Sequence, residues 1–301
     1  MNIIEWSDLI ILEKLGEGAS GVIIKAKLQE KKSIEKISDI NDNDGKKINE
    51  QFVAVKIFKG GKTSDGLPED EMKASEAAGS HPNSFEVLGR LKNAPGGQIG
   101  LVMPLIPSAF KILGGPPSFT SVTRDTYEAG KTFKIHTILK ILCGISSVCC
   151  HLHRRGISHG DLYAHNILVD EEGACLLSDF GASSFYEAVD TDTDIGTDMD
   201  SGSKEVVVTT TGDPSAVSSI SNINISSMSH AMQAFEVRAF GCLIEDLINR
   251  IDDVLEDDAH TVAVIIADLK TLFTDCMDSD RKKRPSFSAI CHRLEALSSN
   301  F

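Results

Sequence analysis

The chain has 301 residues, of which 41% are hydrophobic and 25% charged, and 44 Asp and Glu against 30 Lys and Arg give a formal net charge of −14. That length and balance suit a globular chain with a substantial core, and so acidic a balance argues against a nucleic-acid partner, because phosphate backbones are met by basic stripes. Seven cysteines without a paired C-x-x-C spacing argue for a reducing, cytoplasmic setting; neither a membrane span nor a secretory leader in residues 1–6 is expected.

Strands are predicted at 9–12 and 22–24 around a glycine-rich turn, at 51–58, at 85–91 and at 99–103, the last two joined by Asn93-Ala94-Pro95-Gly96-Gly97. Between them, 68–78 is the one helical candidate. From about residue 133 the apolar period turns helical: Ile138, Ile141, Leu142, Ile145, Val148 and Leu152 share one face. The same spacing recurs from Phe240 to Ile251, from Val262 to Phe273 and from Phe287 to Leu297. The expected class is α+β, an antiparallel sheet with one helix followed by a mainly helical half. Segments 29–50, 108–131 and 187–229 are polar, or rich in Gly, Pro, Ser and Thr. They cannot bury enough apolar surface to offset ordering entropy, so loops or disorder are expected there.

Gly16-Glu17-Gly18-Ala19-Ser20-Gly21-Val22 reads as G-x-G-x-x-G-x-V, whose glycines let backbone N–H groups approach phosphate oxygens. A dinucleotide-binding turn has a similar pattern but opens a helix, whereas a strand follows here. Lys56 ends the apolar run Val53-Ala54-Val55; downstream of a glycine loop it is the expected partner of the α- and β-phosphates. It needs an acid to hold it. Glu71 is the best placed, with Glu76 next and Glu69 and Asp70 nearby in the same helix.

The most specific feature is His159-Gly160-Asp161 with Asn166 at i+5. An Asp there can orient an attacking hydroxyl while the Asn amide oxygen binds magnesium. Asp179-Phe180-Gly181 follows a second short strand and supplies a second metal ligand, Asp179.

In order and spacing these motifs resemble the protein kinase superfamily over nearly the whole chain. The lead-in Ile4-Glu5-Trp6-Ser7-Asp8-Leu9 and Arg284-Pro285-Ser286-Phe287 are similar to tyrosine-kinase-like serine/threonine kinases. The resemblance implies a bilobal fold with an N-lobe at 1–106 and a C-lobe at 107–301, the stretches 29–50 and 187–229 being insertions. It implies ATP and Mg2+ as cofactors and a protein substrate, or the chain itself, as acceptor. Asp161, Lys56 and Asn166 would be catalytic. Gly16, Gly18, Gly21, Val22, Ala54, Lys56, Glu71, Met103 (gatekeeper), Leu105 and Ile106 (hinge) would meet the nucleotide, and Asn166 and Asp179 the metal.

Four departures stand out. Gly160 replaces the Arg of H-R-D, Tyr163 replaces the catalytic-loop Lys of serine/threonine kinases, and His165 stands where tyrosine kinases often carry Arg. No A-P-E ends the activation segment, while Glu236-Val237-Arg238-Ala239-Phe240-Gly241 resembles D-x-W-S-F-G. A pseudokinase acting as a nucleotide-binding or scaffolding module is the alternative reading, and a small-molecule kinase, whose H-G-D loop is similar, a third. A Ser/Thr-rich stretch around 209–229 is a candidate autophosphorylation segment.

Overall fold

The computed structural model describes residues 2–18, 20–29, 51–60, 67–186, 225–252 and 259–299. The expectations for 29–50 and 187–229, autophosphorylation segment included, fall outside these residues except at Gln29 and 225–229. The chain divides into two compact units, Met1–Ala129 with Tyr163–Ser183, and Gly130–Leu162 with Ser184–Phe301.

The first unit is built on six strands: β1 (Asn2–Glu5), β2 (Leu9–Glu17), β3 (Gly21–Leu28), β4 (Gln51–Phe58), β5 (Gly89–Lys92) and β6 (Gly100–Pro104), in the order β1-β5-β6-β4-β3-β2. All neighbours are antiparallel except β1, which runs parallel to β5. Sequence reasoning missed β1, because its partner lies far along the chain. Side chains on a strand alternate between faces, and β4 shows what that does here. Val53 and Val55 join a core with Ile4, Leu9, Ile24, Ala26, Leu91 and Val102. Ala54, Lys56 and Phe58 take the other face, where Phe58 packs with Leu101 and with Met72 of helix α1 (Pro68–Ala78). Each fully buried Val or Leu contributes about 1.5–3 kcal/mol, so the register of β4 is strongly held.

α1 begins with Pro68 in its first turn beside Glu69, Asp70 and Glu71, a start favoured by proline's fixed φ and by the helix dipole. Beyond it, Ser84 bridges to Leu177 of β10 (Cys175–Leu177), and the Asn83 side-chain amide donates to the Cys175 carbonyl at 3.0 Å. β10 pairs with β9 (Ile167–Val169), and β9 with β7 (Lys111–Ile112).

The segment 108–131, expected as a loose loop, is stitched to β9 and the turn before it. Besides β7, Leu113 N–H donates to the Ile167 carbonyl at 2.8 Å, Gly114 N–H to Ala164 at 3.3 Å, and Gly115 and Thr126 exchange two bonds. The reason is backbone pairing rather than apolar burial, which a reading by hydrophobicity does not register. A Cβ at Gly115 would lie 2.8 Å from Thr126 Oγ1, and one at Gly114 3.0 Å from the Thr126 carbonyl oxygen.

The second unit is mainly helical: α2 (Ile135–Arg154), α3 (Ile225–Ile248), α4 (Ala259–Cys276) and α5 (Phe287–Ser298), with β8 (Ile157–Ser158) paired to β11 (Ser184–Phe185). α3 begins at Ile225, within the stretch expected to lack structure. α2 is long and apolar enough to cross a membrane by length and composition, but 67% of that stretch is buried. Ile138, Ile141, Leu142, Ile145 and Val148 are closed from solvent, and α2 packs on α5 and α3; its apolarity is that of a core helix. Close α3–α4 packing uses Gly241, where a Cβ would lie 2.9 Å from Cys276 Cβ.

Candidate active site

Most of the residues singled out from sequence lie in the first unit. On β4, Lys56 Nζ donates to Glu71 Oε1 of α1, both residues under 10% exposed. The ammonium also lies 5.3 Å from the Phe58 ring centroid, so it is held by a carboxylate and a ring face. Glu76, the alternative partner, is engaged instead by Arg90, whose guanidinium holds the Glu76 carboxyl below its usual range. Helix register separates the two acids. Glu71 is buried against the sheet, while Glu76 sits more than a turn further on, toward β5.

The glycine turn links β2 and β3. Gly21 is required by the chain itself, since a Cβ there would lie 2.5 Å from the Ile57 carbonyl oxygen. Gly16 and Gly18 have open space where a Cβ would stand. Lys59 ties the turn to the end of β4. Its Nζ donates to the Gly18 carbonyl at 3.0 Å and pairs with Glu17 at 2.6 Å. Hydrogen bonds from Lys14 and Lys59 pull the Glu17 carboxyl down to about 2. Sequence reasoning missed Lys59, an exposed lysine with no motif around it.

Val22 requires a correction. It pairs with Ile57 and packs on the core cluster with Val53 and Val55, so it faces away from Lys56. Ile23 stands directly opposite Lys56, and it is also the residue at the last position of G-x-G-x-x-G-x-V. Counting the pattern through would have found it. Ala54 pairs with Met103 across β4 and β6, both buried on the Lys56 face, and the half-buried Leu105 and Ile106 continue past the end of β6.

Asn166 ends the 3-10 turn Ala164–Asn166 and is buried. Its backbone carbonyl accepts from Ser178 N–H at 2.8 Å and from Ser178 Oγ at 2.9 Å, which ties the turn to the residue before Asp179. Asp179 is exposed at φ 61, with its carboxylate accepting from Gly181 N–H at 3.2 Å. A left-handed Asp costs on the order of 1 kcal/mol and is found where function sustains the strain. Asn166 and Asp179 offer an amide oxygen and a carboxylate, which fits magnesium, an ion held by one or two carboxylates plus phosphate oxygens. Among the described residues there is no cluster of three or more His, Cys, Asp or Glu that could hold a metal ion.

The second unit holds Asp161 and its support. Asp161 N–H donates to His159 Nδ1 at 3.4 Å. Gly160 sits at φ 80, a conformation costly for any residue with a Cβ, so glycine suits the position on backbone grounds alone. Its N–H donates to Glu236 Oε1 at 3.0 Å, Ser158 Oγ donates to Glu236 Oε2 at 3.2 Å, and His153 Nε2 lies 2.5 Å from the same oxygen. Burial pushes the Glu236 carboxyl up, but His153, His159 and Gly160 N–H outweigh it and the net shift is downward. Glu236 thus braces the segment ahead of Asp161. Arg284 bonds the Ala234 carbonyl of α3 at 2.8 Å and the Asp278 carbonyl at 2.9 Å, and Ser286 caps α5 through Ala289 N–H.

A family model described as protein tyrosine and serine/threonine kinase matches residues 9–202. The chain is 27% identical to ephrin type-B receptor 4 of Mus musculus over 308 residues, 99% of this chain and 28% of the receptor. It is 28% identical to the probable serine/threonine-protein kinase drkC of Dictyostelium discoideum over 237 residues, 72% of this chain and 27% of that protein. Identity to the proto-oncogene serine/threonine-protein kinase mos of Sus scrofa is 25% over 186 residues, covering 61% of this chain and 50% of mos. The chain therefore spans less than a third of the receptor and of drkC, and half of mos.

Proposed function

The chain belongs to the protein tyrosine and serine/threonine kinase family, and on that premise we propose that it transfers the γ-phosphoryl group of ATP, with magnesium, to a serine or threonine hydroxyl of a protein or of itself. The observation that carries the reading is the buried Lys56–Glu71 pair in the unit whose β2–β3 turn carries Gly16 and Gly18 with open space around them. Phosphoryl transfer asks a protein mainly for positioning and charge stabilisation. Lys56, aimed by Glu71, meets the α- and β-phosphates. Asn166 and Asp179 hold the metal, and Asp161 orients the acceptor hydroxyl and takes its proton. Magnesium, when bound, neutralises charge on the phosphate oxygens.

The Ser/Thr preference rests on likeness to drkC and mos, both named serine/threonine kinases, and on Arg284-Pro285-Ser286-Phe287. The cytoplasm is the proposed setting, on the strength of seven cysteines outside any disulfide, four of them buried. A second reading, a nucleotide-binding scaffold, is favoured by one observation: the Tyr163 ring is stacked on His165 at 5.5 Å where a catalytic lysine would stand. Incubation with labelled ATP, magnesium and peptides bearing only Ser, Thr or Tyr tests the acceptor. Phosphoserine and phosphothreonine are expected, and phosphotyrosine alone would reverse the acceptor class.

A further inference from the structure

Asp125 belongs to none of the motifs above, yet it is a buried carboxylate joined to the catalytic loop. Its side chain is 3% exposed. Oδ2 accepts from the backbone N–H of Ala164, and Oδ1 lies 2.8 Å from His165 Nδ1. Both contacts fall within the 3-10 turn whose last residue is Asn166. The segment bearing Asp125 is itself fixed. Its neighbour Thr126 exchanges backbone bonds with Gly115 at 2.7 and 2.9 Å, and Thr126 Oγ1 donates to the Pro116 carbonyl at 3.1 Å. On the far side of the turn, Ser178 holds the Asn166 carbonyl. The turn is therefore gripped at its start by Asp125 and at its end by Ser178.

We propose that Asp125 is a positioning residue for metal binding: by holding Ala164 N–H it sets the turn that aims the Asn166 amide oxygen at magnesium on the nucleotide. This rests on the reading of Asn166 as a metal ligand. The arrangement supplies a function for segment 108–131, which packs close to the turn through Gly114. Removing the carboxylate leaves Ala164 N–H without its acceptor and lets the turn rotate, so the metal contribution to nucleotide binding falls while metal-independent contacts remain.

The test is calorimetric titration of the whole chain with ATP, with magnesium and with EDTA, alongside thermal unfolding without nucleotide. Wild type binds ATP more tightly with magnesium. Asp125→Ala loses most of that enhancement, roughly tenfold, while its affinity for metal-free ATP stays within about twofold, a separation that general loosening of the fold does not produce. Asp125→Asn, whose amide oxygen still accepts from Ala164 N–H, keeps the enhancement within about threefold. Gly114→Ala covers the case in which Asp125→Ala does not fold: its Cβ would press on Ala164 Cβ at 3.1 Å, shifting the segment with the carboxylate intact and lowering the enhancement in part. Full enhancement in a folded Asp125→Ala, or in Gly114→Ala where the former does not fold, overturns the proposal. So does an Asp125→Asn as impaired as Asp125→Ala. No ATP binding by wild type would defeat the nucleotide reading and this inference with it, whereas wild-type binding with unaltered variants defeats the inference alone.

Discussion

Lys56 and Glu71 meet in the interior of the first unit, Nζ donating to Oε1 from a strand to a helix that pack face to face. A buried ion pair stabilises little in net terms, because both charges lose their hydration, but removing one partner strands the other at about 3–5 kcal/mol. Glu71→Gln therefore lowers the stability of the chain by an amount of that order, read by urea denaturation. Lys56→Met replaces the charge with an apolar chain and takes the ammonium away from the buried Glu71 carboxylate, so it too destabilises. Its larger effect is on phosphoryl transfer, expected to fall on the order of 10²–10³-fold. A Glu71→Gln protein as stable as wild type would show that the pair is not held closed in solution.

The glycine turn gives a prediction that separates folding from binding. Gly21→Ala pushes a Cβ against the Ile57 carbonyl oxygen and costs about 1–3 kcal/mol of stability. Gly18→Ala meets nothing within 4 Å, so its stability stays within about 0.5 kcal/mol while ATP affinity falls. Equal loss of stability in the two variants would contradict this division.

Glu236 carries a pH signature. Its folded carboxyl titrates below its unfolded value, so its contribution is fully present above the ordinary glutamate pKa of about 4.3 and is lost as pH falls through the folded value. Glu236→Gln removes the charge that faces His153, Ser158 and Gly160, and is expected to lower stability at pH 7 by about 1–3 kcal/mol. Unfolding measured from pH 7 down to pH 3 then shows the gap between wild type and variant narrowing at the acid end. A gap that stays constant would mean that folding does not lower the carboxyl's pKa.

Much of this site was legible in the sequence because its residues sit in short local contexts. An apolar strand bearing one lysine, a helix with a proline start, and H-G-D with Asn at i+5 each state their geometry within ten residues. Sequence reasoning put Glu71 ahead of Glu76 as the acid for Lys56, and in the structure Lys56 bonds Glu71 while Arg90 takes Glu76. What escaped depends on contacts distant in the chain or on strand parity. Asp125 acts on Ala164 from a segment whose composition reads as loop. Val22 and Ile23 differ by one residue, yet a strand sends them to opposite faces. β1 shows itself only through its pairing with β5, and the apolarity of α2, which invites a membrane reading, is accounted for by α5 and α3.

The central claim is that this chain moves a phosphoryl group, and Asp161 is the residue on which that depends. Wild type and Asp161→Asn, incubated with labelled ATP and magnesium, with and without a basic test protein, provide the direct comparison. The variant keeps the Lys56–Glu71 pair, Asn166 and Asp179, so it still binds nucleotide. Label in the wild-type reaction with loss on the order of 10²-fold or more in Asp161→Asn is the predicted result. Equal labelling of the two proteins, or none in either while both bind ATP, would contradict it and leave the chain a nucleotide-binding scaffold.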